Sequence, residues 1–473
     1  MEMALGVACL LALLSLVVRL PYTVRVVGCV SPAVLAVAQV LVEGARWQMI
    51  PAYALAAGIS LLWLSRRERY RWPTAALGVA WLALSVATPT LLPVFGFAPP
   101  AGTHGIGTLT YHWVDADRRE LFAVGPGARR ELMIQIWYPA KADPAAPRTS
   151  YVEDSDVPAA VARLAHAPEL AFGQLTYVTT NAVASAPVAD DQRRYPVLIF
   201  LEGAMGFRQM NTFQVEDLVS HGYIVVAIDQ PYTAASVLFP DGRRAAGQRM
   251  DQLKPLIEQS LAPAVRAPKL NGRSLGDGII PYLAQDATFT LDRLTALDRS
   301  DPNGILTGRL DLGRAGAFGI SLGGIVAGEA CHLEPRLRAC LVMDAPMTAD
   351  VVRAGLRQPS MWITRDAATM RREGWPQAEI DQHQTTMRAV FDKLPSDGYF
   401  VRVPGMYHVN LTDLPSWSPL MSWLGITGPI DPERAHTIVN AYSLAFFDRH
   451  LKGLPTPQLS EQRYLDARFE TRR

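Results

Sequence analysis

The stretch RAGAFGISLGGIVAGEA, residues 314–330, decides how this chain folds. A short apolar run, AGAF at 315–318, leads into Gly319-Ile320-Ser321-Leu322-Gly323, and small and apolar residues follow. That order reads as strand, tight turn and helix. Such a turn holds the Ser321 side chain clear of a sheet and sets a helix N-terminus against developing negative charge, while flanking glycines let neighbouring backbones approach. The same Gly-x-Ser-x-Gly pattern recurs around Ser274 in NGRSLGDG, residues 271–278. There APKLN precedes it and DGIIP follows, and both read as loop. Ser321 is therefore the candidate nucleophile and Ser274 a chance match.

Outward from Ser321, short continuous apolar runs alternate with helical stretches. PVLIFLEG (196–203), YIVVAIDQP (223–231), RAGAFGI (314–320), ACLVMDAP (339–346), SMWITRD (360–366) and GYFVRVPG (398–405) read as strands buried on both faces. NTFQVEDLVSHG (211–222), TFTLDRLTALDR (288–299) and SLGGIVAGEACHL (321–333) read as helices between them. The alternation predicts an α/β fold, a doubly wound and mainly parallel sheet. LTYHWVD (109–115) and RRELMIQIWYPA (129–140) alternate apolar and polar residues, and predict an antiparallel N-terminal edge. The connection at about 232–285 is too long for a plain loop and predicts a cap over the site; Ser274 lies inside it.

A nucleophilic serine of ordinary pKa needs a general base and a group that orients it. In this fold the partners follow in the order Ser, acid, His. Of the histidines after Ser321, His332 ends a helix, His383 sits in a polar stretch, and His436 and His450 belong to the terminal helical segment. Only His408 follows directly on a predicted strand. Asp344 and Asp366 each end a strand, and either satisfies the requirement for an acid. The oxyanion donors are expected to be the amide of Leu322 and, from the loop FLEGAMGFRQ (200–209), that of Ala204. Glu202 in that loop is expected to act as a structural acceptor facing away from the reaction, the alternative being contact with a leaving group.

Composition sets the surroundings. Net charge is +1, so no basic surface points to nucleic acid. The four cysteines form neither a metal pattern nor a disulfide framework, and Cys331 and Cys340 read as buried free thiols. No metal or organic cofactor is implied. Residues 3–18, 49–64 and 74–95 are uncharged apolar runs, with a weaker run at 26–42 that reads as a fourth span or an interfacial helix. The start, MEM, has no basic n-region, which favours an uncleaved anchor over a signal peptide. RRERYRW at 66–72 is expected to stay cytoplasmic, placing all beyond residue 96 on the extracytoplasmic side, periplasmic in a bacterium. The expected organisation is a helical membrane anchor of three to four spans over 1–95, a linker over 96–106 and a catalytic domain over 107–460.

Six collinear segments together resemble the platelet-activating factor acetylhydrolase family of α/β-hydrolases, in a bacterial, membrane-anchored form. They are ELMIQIWYPA (131–140), PVLIFLEGAMGFRQ (196–209), LVSHGYIVVAIDQP (218–231), LDLGRAGAFGISLGG (310–324), CLVMDAP (340–346) and the His408 segment followed by NAYSLAFFDRHLKG (440–453). The resemblance implies an α/β-hydrolase fold and a serine carboxylesterase with a Ser-His-Asp triad. It carries the acid to Asp344 over Asp366, and the oxyanion amides to Ala204 and Leu322. It further implies a short-acyl or phospholipid-type ester substrate. Two departures bear on substrate preference: Ile320 stands where the family has His, and Glu202-Gly203 where it has His-Gly. An amidase or peptidase of the same fold, or an inactive membrane-tethered binding protein, are the alternative expectations.

Overall fold

A computed structural model describes residues 1–473 apart from 19–20, 65–70, 124, 126, 460–466 and 473. The N-terminal region is four helices: α1 (Glu2–Val17), α2 (Tyr22–Glu43), α3 (Ile50–Leu64) and α4 (Arg71–Leu91). Their small core is built from Leu5, Cys9, Leu13, Leu55 and Ile59.

Two segments, Val26–Glu43 and Pro73–Leu91, are long and apolar enough to cross a membrane, by length and composition. The weakest run of the sequence thus lies in the longest helix, 22 residues, or about 33 Å at the α-helical rise. Pro32 lies inside it. The runs at 3–18 and 49–64 lie in helices described over Glu2–Val17 and Ile50–Leu64, the first about 24 Å long, short of a hydrocarbon core of about 30 Å. The third strong run stops at Leu91 and not at 95, because Pro93 follows. Most of the Arg cluster on which the expected orientation rests, residues 66–70, lies outside the described residues.

Beyond α4 the chain docks at once on the following domain. The Ser418 hydroxyl donates to the Leu91 carbonyl at 2.5 Å, and Phe95 and Phe97 pack against the Tyr151 ring. The segment expected as a plain linker is therefore tethered: Gly102 N–H donates to Ser220 Oγ and His104 N–H to the Ser220 carbonyl.

The strands, in chain order, are β1 (Gly105–Arg119), β2 (Arg129–Ala140), β3 (Ala182–Ala184), β4 (Tyr195–Leu201), β5 (Ile224–Asp229), β6 (Ser236–Leu238), β7 (Arg244–Ala246), β8 (Lys269–Leu270), β9 (Arg273–Ser274), β10 (Leu310–Ile320), β11 (Leu337–Met343), β12 (Ser360–Thr364), β13 (Gly398–Arg402) and β14 (Arg468–Arg472). Ten of them form one sheet in the order β3-β1-β2-β5-β4-β10-β11-β12-β13-β14. From β5 through β4, β10, β11 and β12 to β13 all neighbours are parallel, so their carboxyl ends share one edge. β1 and β2 are antiparallel, as expected, but β3 lies outside β1 and runs parallel to it. At the other edge β14 pairs antiparallel with β13. β3 is only three residues long and β14 is mostly charged, which is why the sequence pattern passes over both.

Both faces of the sheet are buried, with a period of two. In β4, Val197, Ile199 and Leu201 enter one core and Leu198 and Phe200 the other. Helices Ile280–Arg299, Leu322–Leu333 and Gln377–Phe391 cover the first face, and Thr212–Ser220 and Pro432–Phe447 the second. Between β5 and helix Ile280–Arg299 the chain forms two hairpins, β6-β7 and β8-β9, around helix Met250–Leu261. Arg243 clamps the first hairpin to β2 through two bonds to Glu131, at 2.9 and 2.8 Å.

Candidate active site

Three of the expected site residues stand at carboxyl ends of adjacent parallel strands. Ser321 follows β10, Asp344 follows β11, and the Glu202–Gly206 loop follows β4. His408 follows β13, six residues beyond its end. Ser321 adopts φ 56°, ψ −124°, a conformation unfavourable for any residue with a Cβ. Its N–H donates to the Met343 carbonyl at 3.0 Å, which fixes the turn to β11. Asp344 (φ 48°) and Met205 (φ 61°) are also left-handed, so strain gathers at the same edge of the sheet.

The glycines of the turn are required by contact. A Cβ on Gly323 would fall 2.0 Å from the Leu201 carbonyl oxygen and 2.4 Å from that of Glu202, and one on Gly319 would fall 2.2 Å from the Gly323 oxygen. These are backbone atoms of the neighbouring strand end and turn, and they have no room to withdraw. Gly323→Ala is expected to cost more than about 4 kcal/mol or to prevent folding. Gly276→Ala, in the second Gly-x-Ser-x-Gly, meets nothing within 4 Å, and is expected to stay within about 0.5 kcal/mol of the parent; chemical denaturation of both variants checks the contrast. Ser274 itself lies exposed in the two-residue β9.

His408 Nδ1 lies 2.5 Å from Asp344 Oδ2, so the ring nitrogen that does not face the carboxylate is Nε2. The Asp344 side chain is wholly buried. Its Oδ1 accepts from the Thr364 hydroxyl at 2.7 Å and from Arg365 N–H at 3.3 Å, and Arg365 Nε stands 2.7 Å from Oδ2. Burial alone would raise the Asp344 carboxyl. The Arg365 guanidinium and the bond to His408 overrule it and hold it well below the usual carboxylate range. Asp366, the other candidate acid, instead caps helix Ala367–Arg372 by accepting from Thr369 N–H at 2.8 Å.

The oxyanion loop lies against the elbow: a Cβ on Gly203 would meet the Ser321 Cβ at 3.3 Å. Met205 N–H donates to the Thr233 carbonyl and Gly206 N–H to that of Gly203. Leu322 opens its helix, so its N–H lies ahead of the intrahelical ladder. Glu202 is buried, and its Oε1 accepts from Gln230 N–H at 2.9 Å. Burial, with the Asp229 carboxylate nearby, raises its carboxyl well above the ordinary range. A cavity of about 340 Å³ lies farther along the same loop, lined by Phe207, Arg208 and Gln209 with Asp229 and Phe239.

Sequence reasoning missed several neighbours of the Asp344–His408 pair. His383 is buried, with Nε2 3.8 Å from Asp344 Oδ1, and burial, with Arg365 contributing, pushes it down to about 4 against the pull of Asp344. Its signal was helical spacing, since Ile380, His383 and Met387 share the buried face of Gln377–Phe391. Arg365 is also fully buried and pairs with Glu373 as well as Asp344. Trp375 lies under the guanidinium, 4.5 Å from ring centre to Cζ, and meets the His408 ring edge-on. His436 stacks on Phe213 and His450 packs against Tyr399. Cys331 and Cys340 are buried free thiols. Among the described residues no group of three or more His, Cys, Asp or Glu is placed to hold a metal ion.

Ser321 thus stands on a strained elbow, and His408 is held by a buried carboxylate. A family model described as platelet-activating factor acetylhydrolase, isoform II, matches residues 123–456. The platelet-activating factor acetylhydrolase of Gallus gallus is 22% identical over 291 residues, 58% of this chain and 66% of that protein. That of Canis lupus familiaris is 23% identical over 285 residues, 58% of this chain and 61% of the relative. The chain thus spans 61–66% of the length of these two relatives. A solved ferulic acid esterase from Streptomyces cinnamoneus superposes with a TM-score of 0.61 at 27% identity, covering 79% of this chain and 98% of that one.

Proposed function

This chain belongs to the family described as platelet-activating factor acetylhydrolase, isoform II, and from that premise we propose that it is a serine esterase hydrolysing short-acyl or phospholipid-type esters through an acyl-enzyme. In this reading Ser321 Oγ attacks the ester carbonyl carbon while His408 Nε2 takes its proton. The Leu322 and Ala204 amides receive the oxyanion. The bond to the leaving oxygen breaks as His408 returns the proton to it, and water, activated by the same imidazole, then releases the acid. Asp344 holds the proton on His408 Nδ1 and stabilises the imidazolium.

The observation that carries this reading is the linkage at the end of β11. The Met343 carbonyl accepts from Ser321 N–H, and the next residue, Asp344, holds His408 at 2.5 Å. Consecutive residues therefore anchor both the elbow and the base. The spent amides of Met205 and Gly206 support Ala204 as the donor from the oxyanion loop, and the bond from Gln230 supports Glu202 as a structural acceptor.

The reading also sets the N-terminal helices in a bilayer as a multi-pass anchor, with the domain after residue 96 on the extracytoplasmic side. Val30, Val34, Val37 and Leu41 form an exposed apolar face on α2, and an apolar face of that extent calls for a non-aqueous neighbour. A substrate drawn from the adjoining lipid suits this location.

The test is turnover of p-nitrophenyl acetate, butyrate and octanoate beside the matched p-nitroanilides. Short esters are expected to react with kcat/KM about 10³-fold or more above the anilides and about tenfold above octanoate. Preferential cleavage of anilides would make the protein an amidase. No turnover, together with no fluorophosphonate labelling of Ser321, would leave the membrane-tethered binding protein.

A further inference from the structure

We propose that Arg365 is a positioning residue for the Asp344–His408 pair, drawing off part of the carboxylate's charge so that the pair resists protonation and His408 stays available as a base. The proposal rests on the esterase reading above and goes beyond the triad, since no step of that mechanism uses this side chain.

The geometry is a closed ring of contacts. Arg365 Nε faces Asp344 Oδ2 at 2.7 Å, the same oxygen that faces His408 Nδ1. The other side of the guanidinium, Nη1, pairs with Glu373. The Glu373 carboxylate in turn accepts from the His408 backbone N–H, at 3.3 and 3.4 Å. Side chain and main chain of His408 are thus both tied to one guanidinium, each through a carboxylate. Trp375 covers the guanidinium face and meets the His408 ring, which shields the group from water. A guanidinium serving only the fold had Glu373 for a partner; here it also shares the oxygen on which the base depends.

A cation held against that oxygen opposes uptake of a proton by the pair, whichever member carries it. The groups facing Asp344 are Thr364 and Arg365 from the end of β12, His383 from helix Gln377–Phe391, and His408. Glu373 lies behind Arg365. His383 is the other group able to take a proton once the cation is gone, and a proton there restores positive charge beside Asp344 and opposes the change, so the shift expected is only part of what the cation supplies. The planar fork spans two carboxylates at once, which a lysine ammonium does not reproduce.

The experiment is the dependence of kcat/KM for p-nitrophenyl acetate on pH, in the full-length protein. Arg365→Gln is expected to move the acidic limb up by about one pH unit and to lower the plateau about tenfold. Arg365→Lys keeps the charge, and is expected to restore the limb while the plateau stays depressed. A folded Arg365→Gln variant whose limb superimposes on that of the parent, or a Lys variant shifted as far as the Gln variant, overturns the proposal. Should Arg365→Gln fail to fold, Arg365→Gln/Glu373→Gln removes one charge of each sign, and the same limb decides. Fluorophosphonate labelling of the unsubstituted protein separates the two readings: with no labelling and no turnover the esterase reading falls and takes this proposal with it, whereas normal labelling with an unmoved limb removes only the role of Arg365.

Discussion

Ser321→Ala is expected to lower kcat for p-nitrophenyl acetate by about 10⁵-fold, the scale set when a nucleophile is removed from a set of groups that act as a unit. A residual rate above that in water is expected to remain, because the oxyanion donors and substrate binding survive the substitution. Fluorophosphonate labelling disappears in the same variant. The fold is expected to hold, since Ser321 already places a Cβ at φ 56° and alanine adds no atom. The bond from its N–H to the Met343 carbonyl is main chain and is untouched. Far-UV circular dichroism and the denaturation midpoint therefore stay at parental values while turnover collapses. Ser274→Ala, in the exposed β9, is expected to change neither. Activity retained by the first variant, or lost only in the second, would move the nucleophile away from the elbow and undo the proposed chemistry.

The contrast between these two serines is legible in the amino-acid sequence alone, because it depends on local grammar: a buried run, a tight turn with glycines, then a helix. The parallel strands are legible for the same reason, each being apolar on both faces. His408, the proposed base, is reachable by position, since such a base has to come from the carboxyl edge and, of the histidines after Ser321, only this one comes just after a predicted strand. What stays hidden depends on tertiary contact. Arg365 stands at a strand end with nothing local to show that its guanidinium turns inward, and Glu373 and Trp375 reach it from beyond the next short helix. His383 has a helical signal, but its polar neighbours Asp381, Gln382 and Gln384 obscure it. β14, RFETR, pairs at an edge with mostly charged side chains, so its strand character comes from β13 and not from its own pattern. In the N-terminal region composition marks four apolar runs, and two helices there are long and apolar enough to cross a membrane, by length and composition.

Asp344→Asn tests the acid with an effect of similar size, about 10⁴-fold on kcat. The Thr364 hydroxyl and Arg365 N–H donate to this carboxylate at Oδ1 and His408 Nδ1 lies against Oδ2, where the Arg365 guanidinium is its ion-pair partner. An amide has one acceptor where the carboxylate has two. If its NH₂ takes the place of Oδ2, it confronts the Arg365 cation and forces His408 to accept through Nδ1. The ring proton then moves to Nε2, the atom that must receive the proton of Ser321, and the base is blocked. If the NH₂ takes the place of Oδ1, it opposes the Arg365 backbone N–H, a buried donor left without a partner at a cost of about 1–3 kcal/mol. Either placement also leaves Arg365 with Glu373 as the only negative charge paired with it, so a lower denaturation midpoint accompanies the lost rate. Asp366→Ala provides the contrast, because Asp366 caps a helix; it is expected to cost about 1 kcal/mol of stability with kcat preserved. Full activity in Asp344→Asn combined with inactivity in Asp366→Ala would reverse the assignment. It would also remove the reason for a buried guanidinium beside His408, since Arg365 acts only through the carboxylate that Asp344 supplies.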